Sequence, residues 1–175
     1  MKIGFCGTMS VGKTTLVNAL KELPEFKDYK FSTERSKYLS SLGIPLNTDS
    51  TFKGQIIFGA ERAAELMQEN MITDRTVIDV MAFCKLSKSM KNYEKQDLNE
   101  ALWHLIGDYD IIFYVSPEGV KIEDNGIREI DPEYRDAIDK EILSLLEIWG
   151  VATKVIKLSG TTKERIKQIE QAISS

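Results

Sequence analysis

Histidine occurs once in the sequence, as His104, and cysteine twice, as Cys6 and Cys84. So few imidazoles and thiols, widely spaced, exclude a disulfide framework and a cysteine–histidine metal site. Cys6 lies in an apolar strand-like run and Cys84 in a helix-like one, so both are expected as buried thiols of a reducing compartment, the cytoplasm. Positive charge is also in short supply. Lys and Arg number 23 against 27 Asp and Glu, a net charge of −4, which disfavours a surface built to hold nucleic acid but leaves room for a local basic cleft. No apolar run reaches the roughly 20 residues of a membrane span, so no membrane partner is expected. The first residues lack the pattern of a signal peptide, with only four residues between Lys2 and a glycine-bearing turn. Repeats, low-complexity tracts and long linkers are missing too. The 42% apolar and 29% charged residues that make up the chain suit one globular domain over residues 1–175.

What is present is an alternation of strand-like and helix-like stretches. The strand candidates are KIGFC, YKFST, MITD, DIIFYVS and ATKVIKL, and between and after them run helical patterns over 13–23, 34–43, 51–70, 76–88, 97–108, 133–150 and 162–173. Leu98, Ala101, Leu102, Leu105 and Ile106 form the apolar face expected of the helix over 97–108. DIIFYVS is apolar on consecutive residues, as a parallel strand covered on both faces requires. Five strands alternating with helices imply an α/β three-layer sandwich around a five-stranded parallel sheet.

The first strand and the first helix are joined by GTMSVGKTT: Gly7, Thr8, Met9, Ser10, Val11, Gly12, Lys13, Thr14 and Thr15. This is the G-x-x-x-x-G-K-[ST] pattern of a P-loop. Backbone N–H groups of such a loop ring a β-phosphate, and the first turn of the helix adds unpaired donors and the positive dipole end. Lys13 spans the β- and γ-phosphates, and the Thr14 hydroxyl is placed to ligate Mg²⁺. Roughly one chain in 150–200 of this length matches by accident, and strand before with helix after lowers that further. The expected cofactors are therefore ATP and Mg²⁺.

A P-loop alone does not separate kinase, GTPase and motor ATPase. The sequence has no Asn-Lys-x-Asp guanine signature and no apolar strand ending in Asp-Glu. Asp108 and Asp110 precede the fourth strand, at the wrong end for a site at strand C-termini. The strand that does end in an acid is MITDR. Asp74 at its tip is expected beside Thr14, holding the Mg²⁺ shell or accepting the acceptor's proton, with Arg75 neutralising phosphate charge; the plainer alternative is a helix cap with an ion pair. The second strand ends in Glu34 and Arg35, where an acid is positioned as base for an attacking hydroxyl or serves only as the acidic first turn of a helix. The polar segment EDNGIREIDPEYR offers Arg128, and with less weight Arg135, from a lid over about 117–131 that excludes water. His104, Trp103 and Trp149 read as packing or surface residues.

GTMSVGKTTL, TERSKYLSSLG, ITDRTVIDVMAF, EDNGIREIDPEYRDAID and LSGTTKERIKQI, in that order, resemble the NadR-type, ribosylnicotinamide-kinase-like P-loop kinases, a group with many bacteriophage members. The chain is similar, more distantly, to deoxynucleoside and thymidylate kinases. The resemblance implies strand order 2-3-1-4-5, ATP on Gly7 to Thr15, Asp74 on the metal or acceptor, Glu34 on the acceptor hydroxyl and Arg128 from the lid. It further implies that Asp79, one turn on from Arg75, orients that arginine, and that the helix bearing Gln55, Phe58 and Arg62 lines the acceptor pocket. Unlike bifunctional NadR proteins, the chain carries no adenylyltransferase or DNA-binding part. The expected activity is transfer of the γ-phosphoryl of ATP to a nucleoside- or nucleotide-like acceptor. Two alternatives are a kinase acting on a hydroxyl of DNA or a polynucleotide, and a regulatory NTPase with no acceptor. Oligomeric state is left open.

Overall fold

The structure, a computed structural model, describes residues 1–33, 35–118, 131–149 and 152–174. Its elements follow in the order β1 (Lys2–Cys6), α1 (Lys13–Lys21), β2 (Lys30–Ser32), α2 (Ser36–Ser41), α3 (Phe52–Leu66), β3 (Met71–Asp74), α4 (Val77–Leu86), α5 (Asn92–Trp103), β4 (Ile111–Val115), α6 (Pro132–Trp149), β5 (Lys154–Leu158) and α7 (Thr162–Ser174), with 3₁₀ turns at Pro24–Phe26, Asn47–Asp49 and Ile106–Asp108. The five strands form one parallel sheet in the order β2-β3-β1-β4-β5, as the resemblance implied. Glu34 and residues 119–130, which include Arg128 and most of the expected lid, lie outside the described residues.

Period-two alternation along the strands sorts the core into two layers. Ile111, Phe113 and Val115 face α1 and α7 together with Ile3, Phe5 and Ile72. Ile112 and Tyr114 face the layer of α3, α4, α5 and α6, as does Cys6. Phe5 and Phe113, neighbours in register, stack with ring centroids 5.3 Å apart. Both cysteines are buried and free.

Helix boundaries depart from expectation where polar caps decide them. The chain begins α5 at Asn92, five residues before the expected start, because Glu94 accepts from the Lys91 backbone N–H at 2.7 Å and closes the first turn. The helix then stops at Trp103, and Ile106–Asp108 is a separate 3₁₀ turn. Ala101, expected on the apolar face, is exposed, while Leu98, Leu102 and Ile106 are buried. Helix α3 ends at Leu66, short of the expected Asn70, and starts where Thr51 accepts from the Gly54 N–H at 3.3 Å. Among the described residues no helix is long and apolar enough to cross a membrane.

Candidate active site

The loop after β1 is fixed by its own side chains as much as by its glycines. Met9 and Val11 are buried at 2% and 1% exposure, one in each core layer, so these two P-loop positions offer a ligand only their backbone. Gly7 and Gly12 adopt φ of 148° and 89°, and a Cβ on Gly7 would stand 2.6 Å from the Val115 carbonyl oxygen; both positions therefore require glycine. Ser10, at φ 59°, completes the inward curl.

Lys13 opens α1 and is buried. Its Nζ donates to the Gly7 and Thr8 carbonyls at 2.5 and 2.7 Å, so the ammonium is folded onto the loop it would share with a phosphate. Burial lowers its pKa to about 8, with the nearby Arg75 charge adding to the effect and Asp79 and Asp74 opposing it. The Thr14 hydroxyl donates to Asp74 Oδ2 at 2.5 Å. Asp74 sits at the tip of β3 in register with Phe5, and its second oxygen, Oδ1, is buried with no hydrogen-bond partner among the described residues. A hydroxyl beside a carboxylate with one free oxygen is the all-oxygen donor set that suits Mg²⁺. Thr15 is exposed on the first turn of α1.

Asp79, the other acid of this region, is fully buried and already engaged. Its Oδ2 accepts from the Thr76 backbone N–H at 2.8 Å and from the Thr76 hydroxyl at 3.0 Å, capping α4, and its Oδ1 accepts from the Gly7 N–H at 3.2 Å. Arg75 Nη1 lies 3.9 Å from the same Oδ1. Asp79 thus ties the start of α4 to the start of the P-loop. From α6, the Arg135 carbonyl accepts from the Thr8 hydroxyl at 3.0 Å, and Asp139 accepts from the Tyr114 hydroxyl at 2.8 and 3.0 Å. Burial raises the pKa of both Asp139 and Tyr114.

A cleft opens next to this cluster. Arg75 and Asp79 form the end of it nearest the P-loop. Phe58, Phe83, Val80 and Leu46 are its apolar lining, and Gln55, Asn47 and Ser36 its polar lining. Gln55 is 3% exposed and its side chain lines the cleft. The Arg75 guanidinium lies over the Phe83 ring, 5.0 Å from its centroid. Arg75 and Asn47 have φ of 125° and 55°; with Ser10 they are the non-glycine residues of positive φ among those described, and all three are in the loop or the cleft. Unfavourable backbone, costing about 1–3 kcal/mol per residue, gathers at functional positions.

Two expected members of the site point elsewhere. Arg62 is buried with Nε and Nη2 both donating to Glu65 at 2.5 Å, and it does not line the cleft. Arg35 pairs with Glu61 at 2.9 Å and lies over the Tyr38 ring; its neighbour Ser36 is the cleft residue. Asp110 accepts from the Lys2 N–H at 2.6 Å at the far end of the sheet, as its position before β4 suggested. Asn47, Thr76, Phe83 and Arg165 were not singled out by the sequence. Asn47 and Thr76 stand in stretches that read as an ordinary turn and an ordinary cap. Phe83 looks like core, and Arg165 looks like one more surface charge of an amphipathic helix.

A family model described as AAA domain matches residues 2–165. Among solved structures, deoxyadenosine kinase from M. mycoides with dCMP and dCDP is 18% identical at a TM-score of 0.72, over 99% of this chain and 98% of that one. Thymidylate kinase from Ehrlichia chaffeensis is 15% identical at 0.67, over 100% and 98%. NadR in complex with NR is 22% identical at 0.66, over 90% of this chain but 45% of that one, so the chain spans less than half of NadR's length. At these identities the likeness is one of fold. No curated protein matches the chain.

Proposed function

Because the chain belongs to the AAA domain family and has the P-loop kinase fold, we propose that it is a phosphotransferase moving the γ-phosphoryl group of ATP to a nucleoside- or nucleotide-like acceptor. The observation that carries this reading is the adjacency of two unlike halves. The Lys13–Thr14–Asp74 cluster has the chemistry for a nucleoside triphosphate and its cation. The cleft beside it pairs the Phe58 and Phe83 rings with the Gln55 amide, the chemistry for a flat, polar-edged ring. A cleft of this lining beside the phosphate site supports an acceptor reading over an NTPase that lacks one.

In this reading the protein positions and neutralises, and the transfer itself needs no covalent intermediate. A hydroxyl or phosphate oxygen of the acceptor attacks the γ-phosphorus in line, the bond to the β–γ bridging oxygen breaks, and ADP leaves. Loop N–H groups and Lys13 hold the β- and γ-phosphates. Thr14 and Asp74 would hold Mg²⁺, which when bound neutralises charge on the transferring group. Arg75 reaches the acceptor's reacting end. As the resemblance implies, Glu34 would contact or deprotonate the acceptor, with Asp74 the other candidate base, and Arg128 would come from the lid. Nothing calls for a compartment other than the cytoplasm.

The test is incubation with γ-labelled ATP and Mg²⁺ against nucleosides including nicotinamide riboside, nucleoside monophosphates, and DNA, with Lys13→Ala as blank. Label entering one of the first two pools, and lost in the variant, is the expected result. Label released only as free phosphate, with every pool untouched, would overturn it.

A further inference from the structure

Arg165, in the first turn of α7, is 4% exposed and lies 154 positions from the P-loop residue it touches. Its Nη1 donates to the Val11 carbonyl at 2.8 Å and its Nη2 to the Ser116 carbonyl at 3.2 Å. One planar group thus spans the loop after β1 and the segment after β4, the two neighbouring strand ends that frame the phosphate site. The start of α7 is itself fixed: Glu164 accepts from the Thr161 N–H at 2.7 Å and from its hydroxyl at 2.8 Å. That commits the adjacent carboxylate to the cap and leaves Arg165 to face inward.

Stability alone is a poor account of this arrangement. Among the described residues no carboxylate pairs with Arg165, and its Nε–H is buried without an acceptor. Burial accordingly lowers its pKa. A buried cation facing two neutral carbonyls forfeits more solvation than it regains, and an apolar residue of similar volume would serve packing better. What the guanidinium supplies is geometry. A P-loop binds phosphate with N–H groups turned inward, and across a planar peptide an inward N–H at Gly12 turns the Val11 carbonyl outward. Asp79 holds the loop's first N–H at Gly7, and Arg165 holds its outward carbonyl at Val11, immediately before Gly12 and Lys13.

We propose that Arg165 is a positioning residue for nucleotide binding, holding the P-loop in its phosphate-binding shape from the C-terminal helix. The proposal rests on the P-loop being a nucleotide site. Arg165→Lys keeps a cation that reaches one carbonyl but not both, and Arg165→Met keeps volume without charge. Calorimetric titration with ADP, below the melting temperature of each variant, is expected to give a dissociation constant raised about tenfold or more in Arg165→Met. A smaller rise is expected in Arg165→Lys, and the increase in melting temperature that ADP produces should shrink in both. A structural role only would lower the melting temperatures of the free and ADP-bound forms equally and leave the dissociation constant within twofold; that result overturns the proposal. If Arg165→Met does not fold, Arg165→Lys decides on the same criterion. Wild-type protein that binds no ADP removes the nucleotide reading itself and this inference with it, an outcome distinct from unaltered variants.

Discussion

The Thr14 hydroxyl, in the first turn of α1, and the Asp74 carboxylate, at the tip of β3, meet at 2.5 Å although 60 positions separate them in the chain. Parallel register makes this meeting unavoidable, because Phe5 pairs with Asp74 and the loop turns back over the strand end.

Asp74→Asn tests the metal side of that pair. Asparagine still accepts from Thr14 through its Oδ1, so the fold is retained while the negative charge is lost. The expected result is a fall in kcat of about a hundredfold or more, with saturation by Mg²⁺ moved to higher concentration. Steady-state phosphoryl transfer against Mg²⁺ concentration reads both, and a variant with wild-type rate and Mg²⁺ dependence would remove Asp74 from the site.

Lys13 gives the nucleotide affinity a pH dependence. In the free protein burial holds its pKa near about 8, and phosphate favours the charged form. Binding at pH 8 should therefore take up about half a proton, and the apparent dissociation constant for ATP should weaken about tenfold between pH 7 and 9. Stability of the free protein runs the opposite way. The unfolded chain holds the Lys13 proton to a higher pH than the folded one, so stability rises from about pH 8 toward the ordinary lysine value. Calorimetry in buffers of different ionisation enthalpy measures the uptake; no buffer dependence means an ordinary lysine.

Asp79→Ala should act on the fold more than on the acceptor. It uncaps α4 and leaves the buried Thr76 and Gly7 N–H groups without their acceptor. A loss of about 2–4 kcal/mol in urea unfolding is expected, together with weaker ATP binding because Gly7 begins the loop. Unchanged stability would mean that water or a neighbour replaces the carboxylate.

Gln55→Leu separates acceptor from donor. Removing a buried amide that reads a polar edge should lower kcat/KM for the acceptor about ten- to a hundredfold while the KM for ATP holds. A loss shared equally by both substrates would place Gln55 in the scaffold instead.

What the sequence made legible was local. The loop from Gly7 to Thr15 has fixed spacing, and Asp74 ends an obvious strand, so both could be read without the fold. The apolar run Ile111–Val115 announced a central parallel strand. Contacts made by distant chain segments left no such mark. Arg165 reads as surface because the pattern of α7 is amphipathic and its partner is a backbone carbonyl 154 positions away. Arg62 read as a cleft residue, although Glu65 one turn on was the available sign that its charge was already matched. The early start of α5 was hidden because its first turn is held by polar groups, and its apolar periodicity begins only at Leu98.

The two tryptophans of the chain, Trp103 at the end of α5 and Trp149 at the end of α6, lie ring against ring with centroids 4.8 Å apart and planes 29° from parallel. Two indoles this close couple their electronic transitions, so the chain's two tryptophans absorb as one pair. It sits where the chain is about to enter β4 and β5, opposite the strand ends that hold the P-loop. The indole bands of the near-ultraviolet circular dichroism spectrum therefore report on the seam between α5 and α6, at the end of the sheet away from the P-loop.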